Sequence, residues 1–220
     1  MILSDLSFNE IIDYVKARGL PRFRGEQLFD AIYQGKSLDE ISNLPKGLKE
    51  QLQDVYPKYK ILYRFVGKDG TRKYLVALDD ECAVECVLMK YKYGYTICIS
   101  TQVGCRMGCK FCASTLKGLK RNLSAGEMIG QILLVNRDID GKGTSRNITN
   151  VVLMGSGEPL DNYDNVVKFI NLASSPKGLN ISQRNISFST CGIVDKIYHL
   201  AELKLNITLS ISLHATTDEN

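Results

Sequence analysis

From residue 148 to residue 213 short apolar runs alternate with amphipathic stretches, and this rhythm constrains the fold more than any other feature of the chain. Residues 148–154, 185–189 and 206–213 read as strands: they are rich in β-branched residues and too short for buried helices. Between them, 162–173 and 194–203 carry apolar residues at helical spacing. A further helix over 124–136 opens on Ser124-Ala125-Gly126-Glu127, a capping-box sequence. Such alternation predicts parallel β/α units with reactive groups at the C-terminal ends of the strands. With 95–100 as the first strand, about four parallel strands of a partial (β/α) barrel are expected in an α/β fold.

The chain before this region has two other periods. Residues 1–60 read as a helical accessory domain. Ser7-Phe8-Asn9-Glu10 caps a first helix, a second runs through Gln27–Tyr33 to Gly35, Ser37-Leu38-Asp39-Glu40 forms another box, and Pro45 opens a last helix. Arg18, Arg22 and Arg24 near its first turn suit phosphate or a solvated turn equally. From 61 to 93 the period is two: 61–66 and 72–78 around Lys68-Asp69-Gly70 form a hairpin, and 84–89 is a third strand of an antiparallel segment leading into the core at 94–220.

Charge and cysteine content narrow the chemistry. The net charge of +4 is small, yet residues 98–147 hold eight basic and three acidic side chains, enough to account for the whole excess. The same stretch holds the densest cysteine cluster, and a basic rim around a reactive site suits a polyanion such as RNA. No run of about 18 apolar residues suggests a membrane span. The first residues lack the basic and apolar regions of an export signal, so a cytoplasmic protein with reduced thiols is expected. Seven cysteines cannot all pair within one chain, which turns attention from disulfides to metal or catalysis.

Cys105-Arg106-Met107-Gly108-Cys109-Lys110-Phe111-Cys112 places three thiolates on one loop directly after a strand. Structural zinc usually takes four ligands from paired knuckles, and ferredoxin clusters take four cysteines. Three thiolates on a cubane leave one iron open. This spacing resembles the radical S-adenosylmethionine family, and the resemblance implies a 4Fe-4S cluster on Cys105, Cys109 and Cys112 with S-adenosylmethionine on the open iron. Met154-Gly155-Ser156-Gly157-Glu158-Pro159 resembles the family's glycine-rich motif, which implies that Gly157 and Glu158 hold the cofactor's ammonium end. Ser189, Ser212, Leu213 and His214 end the third and fourth strands and complete the implied cofactor set.

The stretch 98–105, Arg121 through Glu127, 154–160 and Ser212-Leu213-His214-Ala215 together resemble the radical methyltransferases that act on adenine C2 of ribosomal and transfer RNA. The likeness runs over nearly the whole chain. It implies that one S-adenosylmethionine methylates a cysteine near the C-terminus, and that a second yields a 5′-deoxyadenosyl radical which activates that methyl group for addition to the base. It also implies Glu85 as proton acceptor, Cys98 as the resolving cysteine that releases the product through a disulfide, and flavodoxin or ferredoxin as reductant of a monomeric enzyme. Cys82 and Cys86 are read as bystanders. Cys191 and Ser156 depart from the family's usual residues, a small hydroxyl and a methionine, and carry no assigned role.

Lys110, Lys117, Lys120 and Arg121 flank the cysteine loop and are the candidate phosphate contacts for a base drawn out of its stack. Three rival readings remain: a C8-specific adenine methyltransferase conferring antibiotic resistance, which Pro159 disfavours; a glycyl-radical activase; and a zinc-dependent RNA-binding module. No cysteine follows Cys191 and only four barrel strands are expected, so the chain reads as a C-terminally shortened fragment that cannot complete the reaction by itself.

Overall fold

The computed structural model describes residues 2–143, 147–215 and 217. The chain end at 218–220, on which the reading of a fragment leans, lies outside the described residues. Three helices come first: α1 (Phe8–Lys16), α2 (Arg22–Tyr33) and α3 (Lys46–Leu52). The Ser7 box forms as expected, with Ser7 N–H donating to the Glu10 carboxylate at 2.7 Å. The second helix starts five residues earlier than its apolar spacing indicated, because Pro21 supplies the pre-set backbone of its N-terminus.

The Ser37 box is a correction. Glu40 does accept the Ser37 N–H at 2.7 Å, but only a turn follows. Pro45 disfavours helix in the residues before it, and the Glu40 carboxylate is taken by Arg137 from a distant helix.

The strands β1 (Lys60–Val66), β2 (Arg72–Ala77), β3 (Ala83–Tyr91) and β4 (Gly94–Cys98) follow as an antiparallel meander. A short ribbon of β5 (Gln102–Gly104) and β6 (Leu119–Asn122) frames the cysteine loop. Then come α4 (Ala125–Asp140), β7 (Ile148–Leu153), α5 (Tyr163–Ser174), β8 (Ile186–Thr190), α6 (Val194–Glu202) and β9 (Thr208–Ile211). One seven-stranded sheet results, in the order β1-β2-β3-β4-β7-β8-β9, with the last four strands mutually parallel. The expected four parallel strands are therefore present, and the antiparallel strands extend the same sheet.

The two faces of that sheet differ. Tyr74, Leu88, Ile97, Val151, Leu153, Ile186 and Phe188 point to one side and are buried with Met128, Ile132, Phe169 and Ile170 of α4 and α5. The register Lys73–Val87–Cys98–Val152–Ser187–Thr208 runs across the other side, which is polar and half-exposed. On the covered side, Asp138 near the end of α4 accepts the Tyr74 hydroxyl at 2.9 Å and pairs with Arg64 and Arg72, fastening the meander to the helix.

The helical region docks on α4 as well. Gly126 and Gly130 lie one turn apart, where a Cβ would stand 2.4 Å from the Ser4 hydroxyl and 2.2 Å from the Tyr59 ring. Their absence of side chain lets the N-terminal segment approach the helix closely. Asp5 accepts the Gly126 N–H at 2.8 Å, supplying an anion to the α4 N-terminus. Burial in this contact pushes the Tyr59 phenol well above its ordinary value.

Candidate active site

The cysteine loop springs from β5 and returns in β6. Cys105 donates its N–H to Gly118 C=O at 3.2 Å across the loop's base, and the Met107 N–H points at the Cys105 sulfur. Cys112 N–H bonds Cys109 C=O at 3.0 Å, and the Thr115 hydroxyl reaches the carbonyls of both Cys109 and Cys112. Arg106, inside the loop, forks onto Asp161 with a closest approach of 2.5 Å. The loop is thus tied down by its own backbone and by one ion pair, while among the described residues its three sulfurs meet no protein partners other than N–H groups.

Gln102 ties the site together. This fully buried amide donates to Asn122 and to Asp161, each at 2.8 Å, and accepts the Glu158 N–H at 2.8 Å. Gly157 between these groups has φ +106°, and a Cβ there would lie 2.6 Å from the Gln102 side chain. Only glycine satisfies both demands. Glu158 itself is 5% exposed. Its carboxylate accepts Leu160 N–H at 3.0 Å and Cys191 N–H at 2.8 Å, and the Cys191 thiol also turns to it. Among the described residues no cationic side chain pairs with it. The protein leaves a buried anion open to a cation from outside, since buried charges are ordinarily paired.

These groups line one cleft of about 150 Å³: Cys105, Cys109, Cys112, Gly157, Glu158, Ser189, Ser212 and His214, with Phe111, Met154, Thr190 and Cys191. His214 packs against Phe111 of the loop, ring centroids 4.7 Å apart. A larger cavity of about 770 Å³ lies between the helical region and α4. It holds none of the thiols, so size does not mark the reactive centre here.

Comparison with known proteins agrees with this geometry. Residues 99–220, more than half of the chain, match the family model of the Radical SAM superfamily. The chain belongs to the radical SAM superfamily. It is 48% identical over 221 residues to a probable dual-specificity RNA methyltransferase RlmN of Clostridium perfringens strain SM101, covering 98% of this chain and 62% of that protein. A protein of the same description from Lachnospira eligens is 48% identical over 223 residues, with 99% and 62% covered. A radical SAM methyltransferase from Sphaerobacter thermophilus superposes with TM-score 0.90 at 36% identity, over 100% of this chain and 65% of that one. The chain thus spans less than two thirds of the length of each of these relatives.

Radical SAM proteins use a 4Fe-4S cluster and S-adenosylmethionine, and the residues present fit both. Among the described residues no three His, Cys, Asp or Glu side chains converge on a single ion position, as a mononuclear zinc site needs. A cubane takes each thiolate on a different iron, so three cysteines spread around one cleft suit it. The uncompensated Glu158 suits an ammonium group.

Not every expected residue comes to this cleft. Leu213 is 74% exposed and does not line it. Cys98 and Glu85 lie beside it on the polar face of the sheet, Cys98 opposite Val87 and Glu85 two residues along β3. The Ser100 hydroxyl donates to Glu85 C=O at 2.6 Å, and Lys73 pairs with the Glu85 carboxylate at 2.6 Å. Burial raises the Cys98 thiol above its ordinary value, opposed by the Met154 N–H aimed at its sulfur. Lys110 and Lys117 are exposed beside the loop, and the exposed Lys120 amine lies against the Cys82 sulfur.

Arg121, also expected at the phosphate, is part-exposed, and its guanidinium is paired with Asp80 at 2.6 Å and Glu127 at 2.7 Å, bracing β6 against α4. Gln102, Asp161 and Phe111 went unassigned in the sequence reading. A glutamine three residues before the first cysteine of the motif was the available signal; the Arg106–Asp161 pairing, 55 residues apart, left none.

Proposed function

We propose that the chain forms the cluster-binding part of a radical SAM methyltransferase acting on C2 of adenine in ribosomal and transfer RNA. The observation that carries this reading is the placement of Cys98 and Glu85 on one sheet face beside the three-cysteine cleft, in a chain nearly half identical to dual-specificity RNA methyltransferases.

When bound, the reduced cluster would supply the electron that cleaves the cofactor's sulfonium bond. The chain's own residues do the rest. Cys105, Cys109 and Cys112 hold the cluster, and Arg106 on Asp161 fixes the loop. Glu158 faces the cofactor's ammonium, and Gly157 lets the backbone come close. Ser189, Ser212 and His214 offer hydroxyls and an imidazole to its ribose and carboxylate oxygens.

Glu85 takes the proton from C2, and Lys73, paired with it at 2.6 Å, orients that carboxylate until it does. Cys98 releases the product: its thiolate bonds the sulfur that carried the methyl group as the bond from that sulfur to the product carbon breaks, the electron pair passing to the product; that sulfur would come from the part of the relatives this chain does not span. Lys110, Lys117 and Lys120 meet the RNA backbone, and an electron-transfer protein such as flavodoxin or ferredoxin reduces a monomeric enzyme in the cytoplasm.

The test is a nucleoside analysis of ribosomal and transfer RNA from cells with and without the gene. Loss of 2-methyladenosine on deletion is expected. Loss of 8-methyladenosine, or no change in either, overturns the proposal.

A further inference from the structure

The open face of the sheet continues past the reactive groups to the edge strand β1, where Tyr63 and Phe65 are 64% and 61% exposed. The register places Phe65 opposite Lys73, Lys73 opposite Val87 and Val87 opposite Cys98. A second row runs from Tyr63 through Leu75 to Glu85. Both rings therefore stand on the face that bears Glu85 and Cys98, two and three strands away, roughly 10 and 14 Å at the usual strand spacing. A β-bulge aims them there. Ile61 lies opposite the buried Val76, on the covered side, and strict alternation from Ile61 would turn Tyr63 and Phe65 to that side as well. The register shift between Ile61 and Tyr63 reverses this, and bulges beside reactive sites commonly re-aim side chains. Neither ring stacks on another among the described residues. An exposed apolar pair on a sheet edge calls for a partner. Exposed Lys60 and Lys68 bracket the strand and Lys73 stands beside Phe65, and rings interleaved with cations suit the bases and phosphates of a single nucleic-acid strand. The opposite edge is β9, six strand spacings or roughly 29 Å away, so chain continuing from β9 starts far from these rings.

We propose that Tyr63 and Phe65 form a stacking platform for unpaired bases flanking the adenine that reacts beside Glu85 and Cys98. The inference rests on the function proposed above and adds to it a single-stranded RNA subsite on β1. Drawing one base out of a stack leaves its neighbours without a stacking partner. Two rings on a sheet surface replace that partner, as in other sheets whose aromatic side chains stack bases. They also fix the path of the strand across the open face, which brings the reactive base to the inner strands. Stacking engages the π-face of any base, so the platform tolerates different flanking sequences. That tolerance suits an enzyme acting on two kinds of RNA.

The test is the affinity of the full-length protein for a fluorescein-labelled single-stranded RNA oligonucleotide with a central adenine, and for the same sequence as a duplex, read by fluorescence anisotropy. Wild type is compared with Tyr63→Ala, Phe65→Ala, Phe65→Tyr and Phe65→Leu. Both rings are exposed, so every variant should unfold at the wild-type midpoint. Each alanine variant should bind the single strand roughly five- to a hundredfold more weakly, with the salt dependence unchanged because no charge is lost. Phe65→Tyr should match wild type, Phe65→Leu should fall with Phe65→Ala for want of a π-face, and duplex affinity should not move. Single-strand affinity absent in wild type, or unchanged in both alanine variants, overturns the inference. Full affinity in Phe65→Leu overturns it as well. Self-association of the wild type that the alanine variants lose, with RNA affinity unchanged, assigns the face to a second copy of the chain and also overturns it. A platform that fails in these ways leaves the loss of 2-methyladenosine on gene deletion standing, whereas a failed nucleoside analysis overturns the reaction whether or not the rings bind RNA.

Discussion

The two faces of the seven-stranded sheet are made from the same strands and behave as different materials. On the helix-covered face, alternate residues from Tyr74 to Phe188 are apolar and sealed under α4 and α5, and even the polar groups there are structural fasteners such as Asp138. On the opposite face the intervening residues are Lys73, Glu85, Cys98, Ser187 and Ser189, partly open and lightly held. A strand's period of two lets one segment serve both purposes, so stability and chemistry are separable by substitution.

The largest effect expected on the covered face is from Phe188→Ala. Its ring is fully buried, and removing it should cost about 3–5 kcal/mol in urea unfolding. Next is Arg121→Ala, which strands the 7%-exposed Glu127 without its cation. Because Arg121 and Asp80 are partly solvated, a loss of about 2 kcal/mol is expected, short of that for a fully buried pair. An unchanged midpoint for this variant would leave Arg121 to the phosphate-binding set alone.

Smaller again is the Glu40–Arg137 pair that clips the helical region to α4. Arg137 and the Ser37 N–H hold the Glu40 carboxyl down at about 2, below its unfolded value, so the contribution is present above the ordinary carboxylate range and fades as pH falls towards 2. The pair is largely solvated, so Glu40→Gln should cost under about 1 kcal/mol at neutral pH and flatten the acid limb of the stability profile. The smallest effect belongs to the open face. Glu85→Gln and Cys98→Ser should leave unfolding within about 0.5 kcal/mol of wild type. A large destabilisation by either would erase the distinction between the faces.

The elements were legible in the sequence where the signal is local. The Ser7 and Ser124 boxes, the two-residue period of the meander and the apolar strands each depend on neighbours within one or two turns, and each formed. The cysteine loop was legible because its ligands lie within eight residues of one another. What stayed hidden depends on distant partners. Ser37-Leu38-Asp39-Glu40 has the form of a cap, but Arg137, 97 residues away, claims its glutamate. Arg121 looked free because Asp80 is 41 residues upstream. The Gln102 hub joins three segments whose proximity only the folded sheet creates.

The central claim is that the three loop cysteines hold an iron–sulfur cluster. Iron, acid-labile sulfide and zinc should be measured in protein prepared without oxygen, for wild type and for Cys105→Ala, Cys109→Ala and Cys112→Ala. The account predicts about four irons and four sulfides per wild-type chain, visible charge-transfer absorbance, and loss of the intact cluster in each variant. Stoichiometric zinc without sulfide in the wild-type protein would contradict it.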